Sequence, residues 1–264
     1  MSGVAAPRTE RAPLLELRAV TKNYGAVRAL NAVGFSLAAG ELCGIIGPNG
    51  SGKSTLFDCC TGLQALDAGR IVLDGTDVTG WPMNRVARDG RMLRSFQKAS
   101  VFDTLSAEEN LVAAGQMFAF PGVASTFSLG AGARTRLAEL RARAAELIDL
   151  VGLAHVRDLP AGTLSYGQQK LVQFASMLMP RPKIVLLDEP LAGINPVLIE
   201  KIATAIAEAN RRLGIAFVVI EHNVDVVMGL CRRVIVLHQG EVLADGSPEA
   251  IVNDARVVEA YLGG

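Results

Sequence analysis

No excess of either charge sign marks this 264-residue chain, in which 26 Lys plus Arg balance 26 Asp plus Glu. Without a global positive field there is no electrostatic case for a nucleic-acid partner, and any anion site has to be built locally from backbone geometry. Cysteine is scarce. The four present (Cys43, Cys59, Cys60 and Cys231) show no C-x-x-C spacing and lie among apolar residues. That suits reduced, buried thiols in a cytosol and argues against a disulfide framework, a redox pair or a metal site. No apolar h-region opens the chain: residues 1–13 are Ala-rich but carry Arg8, Glu10 and Arg11, and so read as a frayed, disordered tail and not a signal peptide. From Leu111 to Ala133 charge is missing altogether, which invites a membrane span, but Gln116, Pro121, Gly122, Ser125, Thr126, Ser128, Gly130 and Gly132 interrupt it. No internal repeat and no low-complexity tract divides the chain, and its length fits one large domain, residues 14–264, able to bury its own core.

What is present organises into an α/β fold. Leu15, Leu17 and Ala19, then Val33, Phe35 and Leu37, alternate with polar residues at the period of half-buried antiparallel strands. Ile71, Val72 and Leu73 run into Asp74-Gly75, a hairpin-turn dipeptide. Residues 184–187 and 215–220 are unbroken apolar runs, expected of parallel strands covered on both faces by helices. Between the two halves of this sheet lies a helical stretch: Leu137, Leu140, Ala144, Leu147, Ile148 and Val151 form one apolar stripe, with Arg136, Glu139, Arg143 and Glu146 outside it.

The strand-like segment Leu42 to Ile46 leads into Gly47, Pro48, Asn49, Gly50, Ser51, Gly52, Lys53, Ser54 and Thr55, followed by a helix from about Ser54 toward Gly62. This is a P-loop in its required strand, loop and helix setting. Its glycines let consecutive N–H groups turn inward as an anion nest at the positive end of a helix, Lys53 reaches β- and γ-phosphates, and the Ser54 hydroxyl ligates Mg²⁺. The bland alternative is a Gly-rich turn with a surface lysine. A second half of the site is expected at Asp188 and Glu189, which close the apolar run 184–187. Asp188 is placed to hold Mg²⁺ through water, and Glu189, one residue beyond, to polarise a water attacking the γ-phosphate. His222 follows another apolar run, at the strand end where ligands gather in open α/β sheets, and is expected to bond the γ-phosphate and orient that water. His155 and His238 lack such a setting and read as surface or turn residues.

Leu164, Ser165, Tyr166, Gly167 and Gln168 resemble the signature of ABC ATPases, L-S-G-G-Q, with Tyr at the third place. The motif is expected to open a helix from Gln168, whose Ser165 hydroxyl and Gly167 N–H make a second anion site. The resemblance covers roughly residues 14–262. It implies a P-loop NTPase core of the ABC type, with a parallel RecA-like part, an N-terminal antiparallel β part and an inserted helical subdomain at about 98–178. In this family the signature faces the ATP held by the opposite subunit of a head-to-tail dimer. By the same resemblance Tyr24, with Val27 beside it, stacks on adenine, and Gln97 touches Mg²⁺, the attacking water and the permease. The segment Leu191 to Pro196 occupies the D-loop, with Asn195 where the family usually has Asp.

The finer pattern, including Arg94-Ser95-Phe96-Gln97, Glu221-His222-Asn223 and the ending Ala260-Tyr261-Leu262-Gly263, resembles LivG-type ATPases of branched-chain amino-acid importers, a branch that also serves urea and short amides. That implies an ATP-hydrolysing subunit using ATP and Mg²⁺. Its implied partners are a second ABC ATPase, identical or related, transmembrane permease subunits and, indirectly, a periplasmic solute-binding protein. The implied place is cytoplasmic, peripheral on the inner face of the plasma membrane. Residues 98–102 near Gln97 are expected at the permease groove. The segment 111–133 reads either as part of that docking face or as a poorly ordered loop. The competing class is a non-transport ABC ATPase that clamps DNA or the ribosome, which usually carries paired cassettes or long coiled-coil insertions.

Overall fold

The computed structural model describes residues 12–95, 101–119 and 131–262. Two antiparallel strands come first, β1 (Leu15–Tyr24) and β2 (Val27–Leu37). After β3 (Leu42–Ile46) and α1 (Lys53–Cys60), the chain returns through β4 (Ala68–Leu73) and β5 (Thr76–Asp77). These four outer strands pair in the order β2-β1-β4-β5. The β4–β5 connection is the expected tight hairpin. Asp74 and Gly75 both take positive φ (48° and 75°), the conformation a two-residue I′ turn demands of both central residues.

Next come α2 (Met83–Arg88), β6 (Met92–Arg94), α3 (Ala107–Ala119), α4 (Ala131–Leu150) and α5 (Tyr166–Leu178). The chain then alternates β7 (Ile184–Asp188), α6 (Pro196–Leu213), β8 (Ala216–Ile220), α7 (Val224–Leu230) and β9 (Arg233–His238). It closes with β10 (Glu241–Gly246), α8 (Pro248–Val252) and α9 (Ala255–Leu262). The second sheet has the order β10-β9-β3-β8-β7-β6, parallel throughout except for the edge strand β10.

The unbroken apolar runs are explained by what covers them. Val185, Leu187, Phe217 and Val219 enter a core shared with α5 and α6, whereas Ile184, Leu186, Ala216, Val218 and Ile220 enter a second core shared with α1 and the antiparallel sheet. Both faces of β7 and β8 are therefore buried, and alternation has nothing to gain. Along α4, Ala144, Leu147 and Ile148 are buried as the stripe requires, as is Val151 just past its end. Leu137 and Leu140 pack at the margin of the same core. All four cysteines are free and buried, and burial pushes their thiols up, Cys59 to about 11 and Cys231 to about 12. Among the described residues no helix is long and apolar enough to cross a membrane. Of the uncharged segment, residues 111–119 belong to α3 and 131–133 to α4, while 120–130 lie outside the described residues.

Topology places the site. β3, β7, β8 and β9 run parallel, so Gly47, Glu189, Glu221 and Gln239, which follow them, share one edge of the sheet, the edge where open α/β sheets take their ligands.

Candidate nucleotide site

The loop after β3 bends where only glycine fits. Gly47 sits at φ 152°, and a Cβ there would lie 2.0 Å from the Leu237 carbonyl oxygen. Gly52 sits at φ 103°, where a Cβ would lie 2.5 Å from the Ala29 carbonyl. Either collision involves backbone and cannot be relieved by a rotamer change. Gly52 is also the N-cap of α1 and brings no side chain to cap it, so the N-terminal turn presents its N–H groups to whatever fills the loop. Lys53 is buried at 6% exposure, its Nζ donating to the carbonyls of Gly47 (2.7 Å) and Pro48 (3.0 Å). Burial lowers its pKa, while the carboxylates of Glu189 and Asp188 act in the opposite direction.

Asp188 ends β7 almost fully buried. Its Oδ2 accepts from Arg94 Nη2 at 2.6 Å, and its backbone N–H donates to Ser95 Oγ at 3.1 Å. Arg94 is itself bridged to Asp58. Among the described residues Asp188 Oδ1 is buried with no partner. A buried carboxylate oxygen left open in this way fits a hydrated divalent cation, whose waters would supply the missing donors. Ser54, in the first turn of α1, is exposed to the cavity that such an ion and a phosphate would share.

One residue on, Glu189 turns into the left-handed region (φ 48°), with its N–H bonded to the Ile220 carbonyl at 2.9 Å. Its Oε1 lies 2.8 Å from Nε2 of His222. The structure thus brings Asn49, Gly50, Ser51, Gly52, Lys53, Ser54, Thr55, Glu189, His222 and Val27 around one cavity of about 310 Å³. Arg28, Ala29 and Gln239 complete the wall. Tyr24 stands at the end of β1, 45% exposed, outside that lining. Gln97 and residues 98–100 lie outside the described residues, while Phe102 is 60% exposed.

The signature occupies a different place. Ser165 is the N-cap of α5, which therefore starts at Tyr166 and not at Gln168 as the motif alone suggested. The two-residue difference arises because Ser165 and Gln168 are the two ends of a capping box. Ser165 N–H and Oγ–H donate to Gln168 Oε1 (2.9 and 3.0 Å), and Gln168 N–H returns to Ser165 Oγ at 3.4 Å. Tyr166 is exposed, with Lys170 Nζ 5.6 Å from its ring centre. Ser165, Gly167 and Gln168 line a separate cavity of about 490 Å³ against Leu198 and Thr204 of α6, sharing no residue with the P-loop cavity. Asn195 caps α6, its side chain accepting from the Leu198 N–H at 2.9 Å, with Pro196 in the first turn.

His155 is exposed in a short 3₁₀ turn, but His238 is neither surface nor turn: it ends β9, partly buried, its Nδ1 without a partner among the described residues. Sequence reasoning missed Arg94 and Ser95 as partners of Asp188, Arg28 and Gln239 as cavity wall, and Glu221, a buried carboxylate that accepts from the Leu191 N–H at 2.7 Å. A charged residue between an apolar run and His222 was the available signal for the last.

The model of the ABC transporter family matches residues 30–192, and the chain belongs to that family. A model described as branched-chain amino acid ATP-binding cassette transporter matches residues 241–264. The chain is 36% identical to the high-affinity branched-chain amino acid transport ATP-binding protein BraF of Pseudomonas aeruginosa, over 95% of this chain and 98% of that protein. It is 35% identical to LivG of Escherichia coli (strain K12), which carries the same description, at the same coverage. Among solved structures, the ADP conformation of MJ1267, an ATP-binding cassette of an ABC transporter, superposes with a TM-score of 0.80 at 30% identity, covering 96% of this chain and all of that one. The dimeric cassette MJ0796 bound to ADP and Pi gives 0.70 at 26% identity, over 89% of this chain and 98% of that one. These relatives are transport ATP-binding proteins, so the clamp alternative is not favoured. The fold is that of an ABC ATPase, a nucleotide-binding, ATP-hydrolysing cassette.

Proposed function

We propose that this chain is the ATP-hydrolysing subunit of an importer for branched-chain amino acids or closely related small solutes. The convergence of Lys53, Glu189 and His222 on the P-loop cavity carries the hydrolytic part of that reading. The P-loop N–H groups and Lys53 hold the β- and γ-phosphates, and Tyr24 with Val27 receives the adenine. Ser54, Gln97 and, through water, Asp188 hold Mg²⁺, which when bound screens phosphate charge during transfer. Among the described residues there is no cluster of three or more His, Cys, Asp or Glu that could hold a metal ion. Glu189 polarises the attacking water. His222, hydrogen-bonded to Glu189, orients that water and the γ-phosphate.

The cavity holding Ser165 and Gly167 is separate from the P-loop cavity, which supports a head-to-tail dimer in which these residues serve the partner's nucleotide. The partner is a second ABC ATPase. The pair sits on permease subunits at the inner face of the membrane, with a periplasmic binding protein selecting the solute. The match of the C-terminal residues and the names of BraF and LivG support the solute class.

Replacing Glu189 by Gln tests the catalytic core of this reading. Hydrolysis should fall about 10²- to 10³-fold while ATP affinity, measured by equilibrium binding, stays within about twofold. Steady-state hydrolysis at the unmutated rate would overturn it.

A further inference from the structure

Glu221 is the one carboxylate at this sheet edge that the catalytic reading leaves without a task. It follows β8, is 4% exposed, and among the described residues no Lys or Arg side chain pairs with it. A buried carboxylate without a cation is costly unless a backbone donor compensates, and here one does. The Leu191 N–H donates to its Oε1 at 2.7 Å. Burial pushes its pKa up, and the backbone N–H groups of Leu191 and His222 pull it back.

That bond and the peptide that follows Glu221 lead to opposite sides of the reacting pair. Leu191 lies two residues after Glu189, and His222 is the residue whose Nε2 lies 2.8 Å from Glu189. Glu189 N–H is tied to the Ile220 carbonyl at 2.9 Å, and Ala192 N–H to the Glu189 carbonyl at 3.2 Å. The covalent path Glu189-Pro190-Leu191, the Leu191–Glu221 bond, the Glu221–His222 peptide and the His222–Glu189 contact close a small ring. Glu189 occupies a left-handed φ in that ring, a conformation that persists only where surroundings over-determine it.

We propose that Glu221 is a positioning residue that locks the loop 189–195 to the start of the His222 segment and so sets the geometry of the Glu189–His222 pair. This rests on the reading that Glu189 and His222 act on the attacking water. An apolar residue would fill the same volume but could not hold the Leu191 N–H. A cation-paired carboxylate would be drawn away from it.

The test is a double-mutant cycle with ATP turnover, ATP binding and Tm measured on each protein. Glu221→Ala should lower kcat about 10- to 100-fold with KM for ATP within about twofold, because an interaction acting only through the reacting pair is lost. Glu221→Gln keeps one acceptor oxygen and should lose only about threefold to tenfold, a partial rescue. In a Glu189→Gln background either change should be nearly silent, since the group being positioned is already gone. If Glu221→Ala does not fold, the Gln variant carries the same cycle. The proposal falls if Glu221→Gln and Glu221→Ala both keep kcat within twofold, if they raise KM alone, or if they cost the same factor in both backgrounds, as a purely structural role would. Unmutated turnover in Glu189→Gln alone would sink the catalytic reading and this proposal together, and that outcome is recognisable because it involves no Glu221 variant.

Discussion

Helices α1 and α5 both begin where an anion would be welcome, yet they differ in what occupies their first N–H groups beforehand. At α1 the N-cap is a glycine with no side chain, and the nearby ammonium of Lys53 is turned back onto loop carbonyls. At α5 the capping box already uses the Ser165 hydroxyl and the Gln168 N–H. A phosphate reaching α1 finds donors without a side-chain competitor. A phosphate reaching α5 must draw the Ser165 hydroxyl away from Gln168. One end is open to a ligand in the single chain, and the other is self-satisfied until a ligand is presented to it, in line with the proposed role of Ser165 toward a partner's nucleotide.

The largest effect that could break this contrast comes from the open end. Lys53→Ala should weaken ATP binding by about 100-fold, the scale of a lost charge-assisted bond, when measured by titration of a fluorescent nucleotide. Unaltered affinity would mean that the α1 end alone suffices. Ser165→Ala addresses the closed end. ATP affinity of the single chain should not change, turnover should drop about tenfold, and the lost cap should lower stability by about 1 kcal/mol in urea unfolding. A fall in single-chain ATP affinity would place Ser165 in its own chain's site.

A third cap sharpens the comparison because it belongs to neither anion site. Asn195→Ala should cost about 1 kcal/mol of stability, whereas Asn195→Asp, which offers the same acceptor, should be within about 0.5 kcal/mol of the unmutated protein. The smallest effect concerns the cysteines. With Cys59 pushed up to about 11 and the others also raised by burial, a thiol reagent at pH 8 should titrate none of the four in the native protein within minutes and all four in denaturant.

Much of this was legible in the sequence where the cause is local. Residues 184–187 and 215–220 could be placed because a strand buried on both faces has to be apolar throughout. The P-loop could be placed because its glycines are dictated by backbone geometry. The start of α5 was misplaced by two residues because Ser165 and Gln168 were read as ligand-binding groups and not also as a cap. What stayed hidden joins residues far apart in the chain. Arg94 bridges Asp58 and Asp188, which are 36 and 94 positions away, and Glu221 reaches Leu191 across 30. No periodicity encodes such pairings; they exist only once the sheet order brings β6, β7 and β8 side by side.

The positive φ of Glu189 bears on how this protein can change. A non-glycine residue held there carries a conformational penalty of about 1 kcal/mol or more that glycine would remove. Random variants screened for heat resistance alone would therefore tend to discard the carboxylate, while variants screened for turnover would keep it. Position 189 is where the two kinds of selection on this chain most directly oppose each other.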